Sequence, residues 1–236
     1  MENMNNCSFC AELNQQQENN LFLEKIKPYI PIENRIIFRT ENWVVMPTIG
    51  SLVSGYLLLV SKDHYISVGS CPTQMFFELT CLIKSLRQVL FNIYKTPVIV
   101  FEHGGSSTNF KGGCCVDHTH LHILPFKCDI INNVNNQNLR KHVVTSFSDL
   151  RNYFLKGVPY LYYENHNEKK VAITGEIIVS QYFRKIISHE LNIPEKWDWR
   201  YNTGMENIVD TLVKIDSNEI ERVFNEVITG SITPND

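Results

Sequence analysis

The apolar positions along the chain change period several times, and each change predicts an element. Ile36–Arg39, Trp43–Met46 and Gly55–Val60 are β-branched or apolar runs separated by Thr, Asn, Pro and Gly, the spacing of an antiparallel meander. A short helix is expected before them, near Leu21–Ile26. Between Pro72 and Tyr94 the residues Phe76, Phe77, Leu79, Leu82, Ile83, Leu86 and Leu90 recur at three- and four-residue steps, which predicts one long amphipathic helix ended by Thr96-Pro97. Val98–Phe101 reads as a buried strand, Gly104–Gly113 as a glycine- and serine-rich loop, and Asp117–Pro125 alternates with period two. Past an asparagine-rich patch at 129–140, read as an exposed loop, come a helix near Phe147–Phe154 and strands near Tyr160–Glu164 and Val171–Thr174. Helices near Ser180–Leu191 and Glu206–Ile215 follow, and no internal repeat is visible. This order describes an α+β fold: a catalytic-sized unit over 1–128 and an α/β extension over 129–236 that packs on it.

Charge and cysteine content narrow the chemistry. Lys and Arg number 22 against 25 Asp and Glu, a net charge of −3 with no basic stripe, so holding a nucleic-acid backbone by bulk electrostatics is not expected. An anionic ligand must be held by a local site. The most apolar stretches, such as Gly55–Val60, fall far short of the roughly 18 residues a membrane span needs. The opening MENMNNCSFC lacks a basic start and an apolar core, so no export signal is expected and a cytoplasmic location follows. Seven cysteines, at 7, 10, 71, 81, 114, 115 and 128, argue for thiols and a metal site over a disulfide framework.

The segment Asp117-His118-Thr119-His120-Leu121-His122-Ile123-Leu124-Pro125 carries the most information. Side chains alternate across a strand, so His118, His120 and His122 share one face and Thr119, Leu121 and Ile123 the other. One strand histidine is usually structural; three at strict period two are hard to derive from packing. Such a row suits metal binding or nucleophilic and proton-transfer work. As three ligands of one metal it is too spread, covering about 13 Å on a regular strand against metal–nitrogen bonds near 2 Å. Just upstream, Gly112-Gly113-Cys114-Cys115 ends the glycine-rich loop, where backbone N–H groups suit an anion, making Gly113, Cys114 and Cys115 candidate phosphate contacts. A histidine that attacks phosphorus forms a phosphoramidate that water or another acceptor then resolves. Charge on the phosphoryl oxygens would be met by backbone amides and imidazole.

His118-Thr119-His120-Leu121-His122-Ile123-Leu124 resembles the His-φ-His-φ-His-φ-φ signature of the histidine triad superfamily. Gly55-Tyr56-Leu57-Leu58-Leu59-Val60-Ser61-Lys62-Asp63-His64 is similar to that superfamily's strand ending in Lys-x-His, and Cys7-Ser8-Phe9-Cys10 to its N-terminal Cys-φ-Phe-Cys. The resemblance spans roughly residues 7–126. It implies that His120 is the nucleophile toward the α-phosphate of a nucleotide, that His122 assists at the phosphate, and that the main chain near His118 orients His120. Histidine at position 122 leans toward hydrolysis of a phosphoric anhydride or phosphoramidate, since transferase branches tend to carry Gln there. The alternatives are a nucleotidyltransferase or phosphorylase using the same intermediate, and a non-catalytic nucleotide-binding protein. The partner expected is thus a nucleotide-containing small molecule; short members commonly form homodimers, an interface the extension could replace or block. The resemblance also implies a structural zinc ion on Cys7, Cys10, His64 and His118.

Several positions depart from the pattern. Tyr56 stands where many members have a second active-site histidine, and Thr48 near a ribose-binding Asp. Glu102-His103-Gly104 replaces an Asn-containing turn, leaving Glu102 and His103 as candidate recognition residues, and Cys115 replaces a hydroxyl donor to phosphate. In the extension, Ser180 and Gln181 open a predicted helix with Arg184 on the same face, an arrangement that favours anions. Gln181 and Arg184 are therefore expected to bind substrate, closing over the site, with Trp197 and Trp199 nearby in sequence.

Overall fold

The computed structural model describes residues 6–106, 116–134, 138–175 and 179–230. Its centre is an eight-stranded antiparallel sheet. The strands are β1 (Phe38–Arg39), β2 (Trp43–Pro47), β3 (Leu57–Ser61), β4 (Val98–Gly104), β5 (His120–Pro125), β6 (Leu139–Val143), β7 (Tyr160–Glu164) and β8 (Lys170–Gly175), in the spatial order β1-β2-β3-β5-β4-β7-β8-β6. The helices are α1 (Ser8–Leu13), α2 (Leu21–Lys25), α3 (Met75–Tyr94), α4 (Phe147–Leu155), α5 (Tyr182–Glu190), α6 (Met205–Lys214) and α7 (Ser217–Ile228). The α+β class holds. The meander stops at β3, whose next neighbour is β5, because α3 carries the chain across before β4 returns.

Helix α3 covers one face of the sheet, and its stripe explains why it sits there. Phe76, Leu79, Leu82, Ile83, Leu86 and Leu90 are buried against Leu57, Leu59, Val98, Val100, Leu121 and Ile123. Phe77 falls off that stripe and is 66% exposed. The helix ends where Lys95 turns left-handed before Thr96-Pro97. Helix α7, which hydrophobic spacing did not predict, starts at the Asp216 cap and lays Ile220, Val223 and Phe224 on the same core. The opposite face is covered by two separate elements. The knuckle around α1 packs Cys7, Phe9 and Cys10 on Val44, Met46, Leu58 and Val60. Helix α5 packs Phe183 and Ile187 on Ile99, Phe101, Leu161 and Tyr163. His120 and His122 lie on this face, between the two covers.

The sheet also holds a repeat that the sequence does not show. The succession β3–α3–β4–β5 recurs as β6–α4–β7–β8, and the spatial order β3-β5-β4-β7-β8-β6 reads the same from either end under that correspondence. The two units meet where Glu102 of β4 opposes Tyr162 of β7. His122 opposes Phe101, and in the second unit Ile173 opposes Leu161. Two residues along, Val171 takes the place of His120. The second unit keeps the topology with apolar residues in place of the imidazoles, so its sequence carries no repeated motif. The 129–236 extension thus continues the sheet across the β4 edge.

Candidate active site

Strand β5 sets the row. Leu121 and Ile123 are fully buried against α3, which forces His118, His120 and His122 toward the other face. His120 Nδ1 lies 2.6 Å from the His118 carbonyl oxygen, so the N–H is on Nδ1 and the Nε2 lone pair is free. His122 is stacked on Phe101, with ring centroids 4.4 Å apart, and its Nδ1 is 2.9 Å from the Tyr56 hydroxyl. Phe9 of the knuckle rests against His120 at 5.1 Å. Burial holds His120 below the usual imidazole range, and burial followed by the charges of His120, His103 and Arg184 holds His122 well below it. Both are neutral near pH 7. Burial pushes the Tyr56 hydroxyl up to about 12, so it keeps its proton.

The histidines open on a cleft with about 560 Å³ of empty space, mouth included. Its apolar walls are Phe9, Leu21, Ile49, Leu58, Val116 and Trp199; its polar lining is Arg35, Thr48, His103, His120, His122, Gln181 and Arg184. Apolar walls with convergent polar side chains are the usual lining of a small-molecule site. Arg35 reaches the cleft but is spoken for: its guanidinium makes two 2.7 Å bonds to the Glu12 carboxylate and one to the Pro47 carbonyl. Gly50 shapes the rim. It sits at φ +82°, and a Cβ there would come within 2.3 Å of Trp199 Cβ and 2.8 Å of an Arg184 nitrogen, so only glycine admits the extension this close.

The expected substrate residues divide. Gln181, Arg184 and His103 are brought to the cleft with His120 and His122. His103 accepts the Phe183 N–H at the start of α5 at 3.4 Å, and burial lowers its pKa to about 3. Gln181 holds a left-handed backbone (φ 58°), a conformation non-glycine residues adopt at a cost and one that concentrates at functional sites. Glu102 is not brought to the site. It sits on the α3 face, accepting Val68 N–H at 2.7 Å and Tyr160 O–H at 2.8 Å, and is a structural acceptor under the 3-10 turn Val68–Ser70. Period two along β4 puts it opposite to Phe101 and His103. Gly113, Cys114 and Cys115 lie outside the described residues.

Next to the cleft, Cys7, Cys10, His64 and His118 place their ligand atoms within 4.8 Å of one another, a set that can hold a metal ion. Cys7 Sγ is 3.3 Å from His118 Nδ1, and Cys10 Sγ is 3.3 Å from His64 Nδ1. A tetrahedral ion with bonds of about 2.0–2.3 Å puts its ligands roughly 3.3–3.8 Å apart, so the cluster needs little adjustment. His118 Nε2–H donates to the Ser61 carbonyl at 2.7 Å, which turns the unprotonated Nδ1 to the thiols as a metal requires. Burial lowers His118 to about 4; burial, and then Cys7, raises Cys10 to about 12, so a cation is what would free the Cys10 thiolate.

Four features of the site carry no local signal in sequence: the Glu12–Arg35 pair, the Tyr56–His122 bond, the Phe9 contact and the Gly50 approach. Each joins residues at least 23 positions apart, and only Tyr56 stands out in sequence, as a departure from a motif.

No protein-family profile matches the chain, and no curated protein matches it in sequence. Solved structures similar to it include a HIT-like protein involved in cell-cycle regulation from Bartonella henselae, 14% identical over 52% of this chain and 80% of that one, with a TM-score of 0.39. A histidine triad nucleotide-binding protein from Sulfolobus tokodaii is 14% identical over 64% of this chain and 89% of its own, TM-score 0.36. A yeast Ap4A phosphorylase is 13% identical over 80% of this chain and 78% of its own, TM-score 0.41. Among the described residues no helix is long and apolar enough to cross a membrane.

Proposed function

We propose that the protein is a histidine triad nucleotide hydrolase that cleaves at an α-phosphate through a covalent His120–nucleotidyl intermediate. One observation carries the reading: the His118 carbonyl fixes the His120 proton on Nδ1, leaving Nε2 as a lone pair on a neutral imidazole in the wall of the cleft. In the first step the His120 Nε2–phosphorus bond forms as the bond from phosphorus to the leaving group breaks. In the second, water attacks phosphorus, the phosphorus–nitrogen bond breaks, and a nucleoside monophosphate leaves. His122 supports the phosphoryl oxygens. Its Nδ1 is 2.9 Å from the Tyr56 hydroxyl; with that hydroxyl as the donor, the imidazole proton is on Nε2. Resemblance to hydrolase branches with histidine at this third position favours water as the acceptor over phosphate.

The metal in this reading is zinc on Cys7, Cys10, His64 and His118, and its role is structural. It would tie the N-terminal knuckle, and with it Phe9, to the strand that carries the nucleophile. The chemistry stays on the imidazoles.

The test is to incubate wild-type and His120→Ala protein with dinucleoside polyphosphates, nucleoside phosphoramidates and nucleotide sugars. Wild type should release a nucleoside monophosphate and accumulate acid-labile mass equal to one nucleotidyl group; His120→Ala should do neither, with turnover down by about 10³-fold or more. Release of a nucleoside diphosphate only when phosphate is added would instead make it a phosphorylase. No turnover and no adduct across the panel would leave a nucleotide-binding protein.

A further inference from the structure

The cleft holds two buried arginines, and their charges are treated differently. Arg35, 1% exposed, is matched by a carboxylate in a two-point pair with Glu12. Arg184, 2% exposed, has no carboxylate paired with it among the described residues. Its Nε donates to the Trp197 carbonyl at 2.9 Å and one terminal nitrogen to the Gly50 carbonyl at 2.6 Å, while Nη1 is buried with no partner. Asp198, the residue after the Trp197 whose carbonyl Arg184 binds, is taken up by Gln181 Nε2 and by Arg200. A guanidinium removed from water without a counter-charge is costly to keep, and an anion that enters the cleft recovers that cost. Beside it the Gln181 side-chain oxygen is likewise buried and without a donor. Two orphaned polar atoms on one helix start, both lining the cleft of His120, are groups waiting for a ligand.

Where the charge sits says which part of the ligand it meets. The guanidinium lies over the Tyr56 ring at 5.7 Å, and Tyr56 bonds His122. Its field lowers His122 and His103. The cation therefore sits on the His122 side of the cleft. We infer that Arg184 binds a second anionic group next to the phosphorus that His120 attacks, so the substrate is a phosphoric anhydride, a nucleoside or dinucleoside polyphosphate, rather than a phosphoramidate with an uncharged leaving group. This rests on His120 being the nucleophile. It adds that the leaving side carries charge, which a neutral amine does not use.

Two measurements separate failure of this inference from failure of the hydrolase reading. The first is kcat/KM on a dinucleoside tetraphosphate and on a nucleoside 5′-phosphoramidate of a simple amine, for wild type, Arg184→Lys and Arg184→Gln. Losing one charge-assisted bond should cost about ten- to a hundredfold on the tetraphosphate, at least about tenfold more than on the phosphoramidate. Equal losses on both would place Arg184 on the reacting phosphate and overturn the inference. The second needs no turnover: calorimetric binding of inorganic triphosphate to wild type, His120→Ala and Arg184→Gln, each checked for a cooperative melt. Binding retained in His120→Ala and weakened about tenfold or more in Arg184→Gln supports the anion site even if no substrate is cleaved. Triphosphate that binds Arg184→Gln as tightly as wild type overturns it.

Discussion

Glu102 is buried on the face of the sheet away from the cleft, and its charge state makes stability depend on pH in a calculable direction. Burial raises its carboxyl from 4.5 to about 7, against the Val68 N–H and Tyr160 O–H bonds that pull it the other way. The folded protein therefore holds this proton to higher pH than the unfolded chain does. The stabilisation is complete below about pH 4.5 and is lost as pH rises through about 7. At about 1.4 kcal/mol for each tenfold in proton affinity, the rise corresponds to about 3 kcal/mol. Glu102→Gln keeps the shape and both hydrogen-bond positions but cannot ionise. Urea unfolding of both proteins at intervals from about pH 4 to 8 should show the variant gaining on wild type by about 3 kcal/mol across that range. Taking the difference matters, because the buried His103, His118 and His122 have lowered values and give wild type and variant alike a slope of the opposite sign. A difference that stays constant with pH would refute the account of Glu102.

Other perturbations test the rest of the architecture. Glu12→Ala strands Arg35 in the wall of the cleft and should cost about 3–5 kcal/mol by urea unfolding, while Glu12→Leu with Arg35→Met together should cost clearly less. Gly50→Ala drives a methyl group into Trp199 and Arg184 from a left-handed backbone; a fall in stability of more than about 1 kcal/mol with weaker nucleotide binding is expected, by thermal melting and titration. Tyr56→Phe removes one hydrogen bond from His122 and should lower kcat about two- to tenfold with KM little changed. Protein purified without chelator should carry about one equivalent of zinc by elemental analysis, and a chelator should lower its melting temperature; less than about half an equivalent would refute the structural site.

What was legible in the sequence followed from period and motif. The alternation in β5 located the histidine row, and the three-four spacing located α3, because a single buried face dictated every residue there. Cys7, Cys10, His64 and His118 could be named through motif resemblance although 111 positions separate the first from the last. Glu102 lies apart from the cleft for a reason that period two itself supplies: it neighbours His103 in sequence and so faces away from it. Helix α7 was passed over because its stripe of Ile220, Val223 and Phe224 is short and set among charged residues. Strand β6, mostly exposed and rich in basic residues, presents no apolar alternation at all. Neither the topological repeat nor the lack of a paired carboxylate at Arg184 among the described residues could be read locally. The first survives only in strand order, and the second is a statement about which groups failed to come near.

The seam between the two units has a consequence for how the cleft responds to dilution. The edge of β4 is closed by β7 of the same chain, so their union is an intramolecular event whose effective concentration is set by the connecting segment and not by the amount of protein present. His122 lies one strand to one side of that seam, and Gln181 and Arg184 come from the segment beyond its other side. A cleft completed by two separate copies would come apart as the protein is thinned out; this one is assembled by mass action only once, when the chain folds.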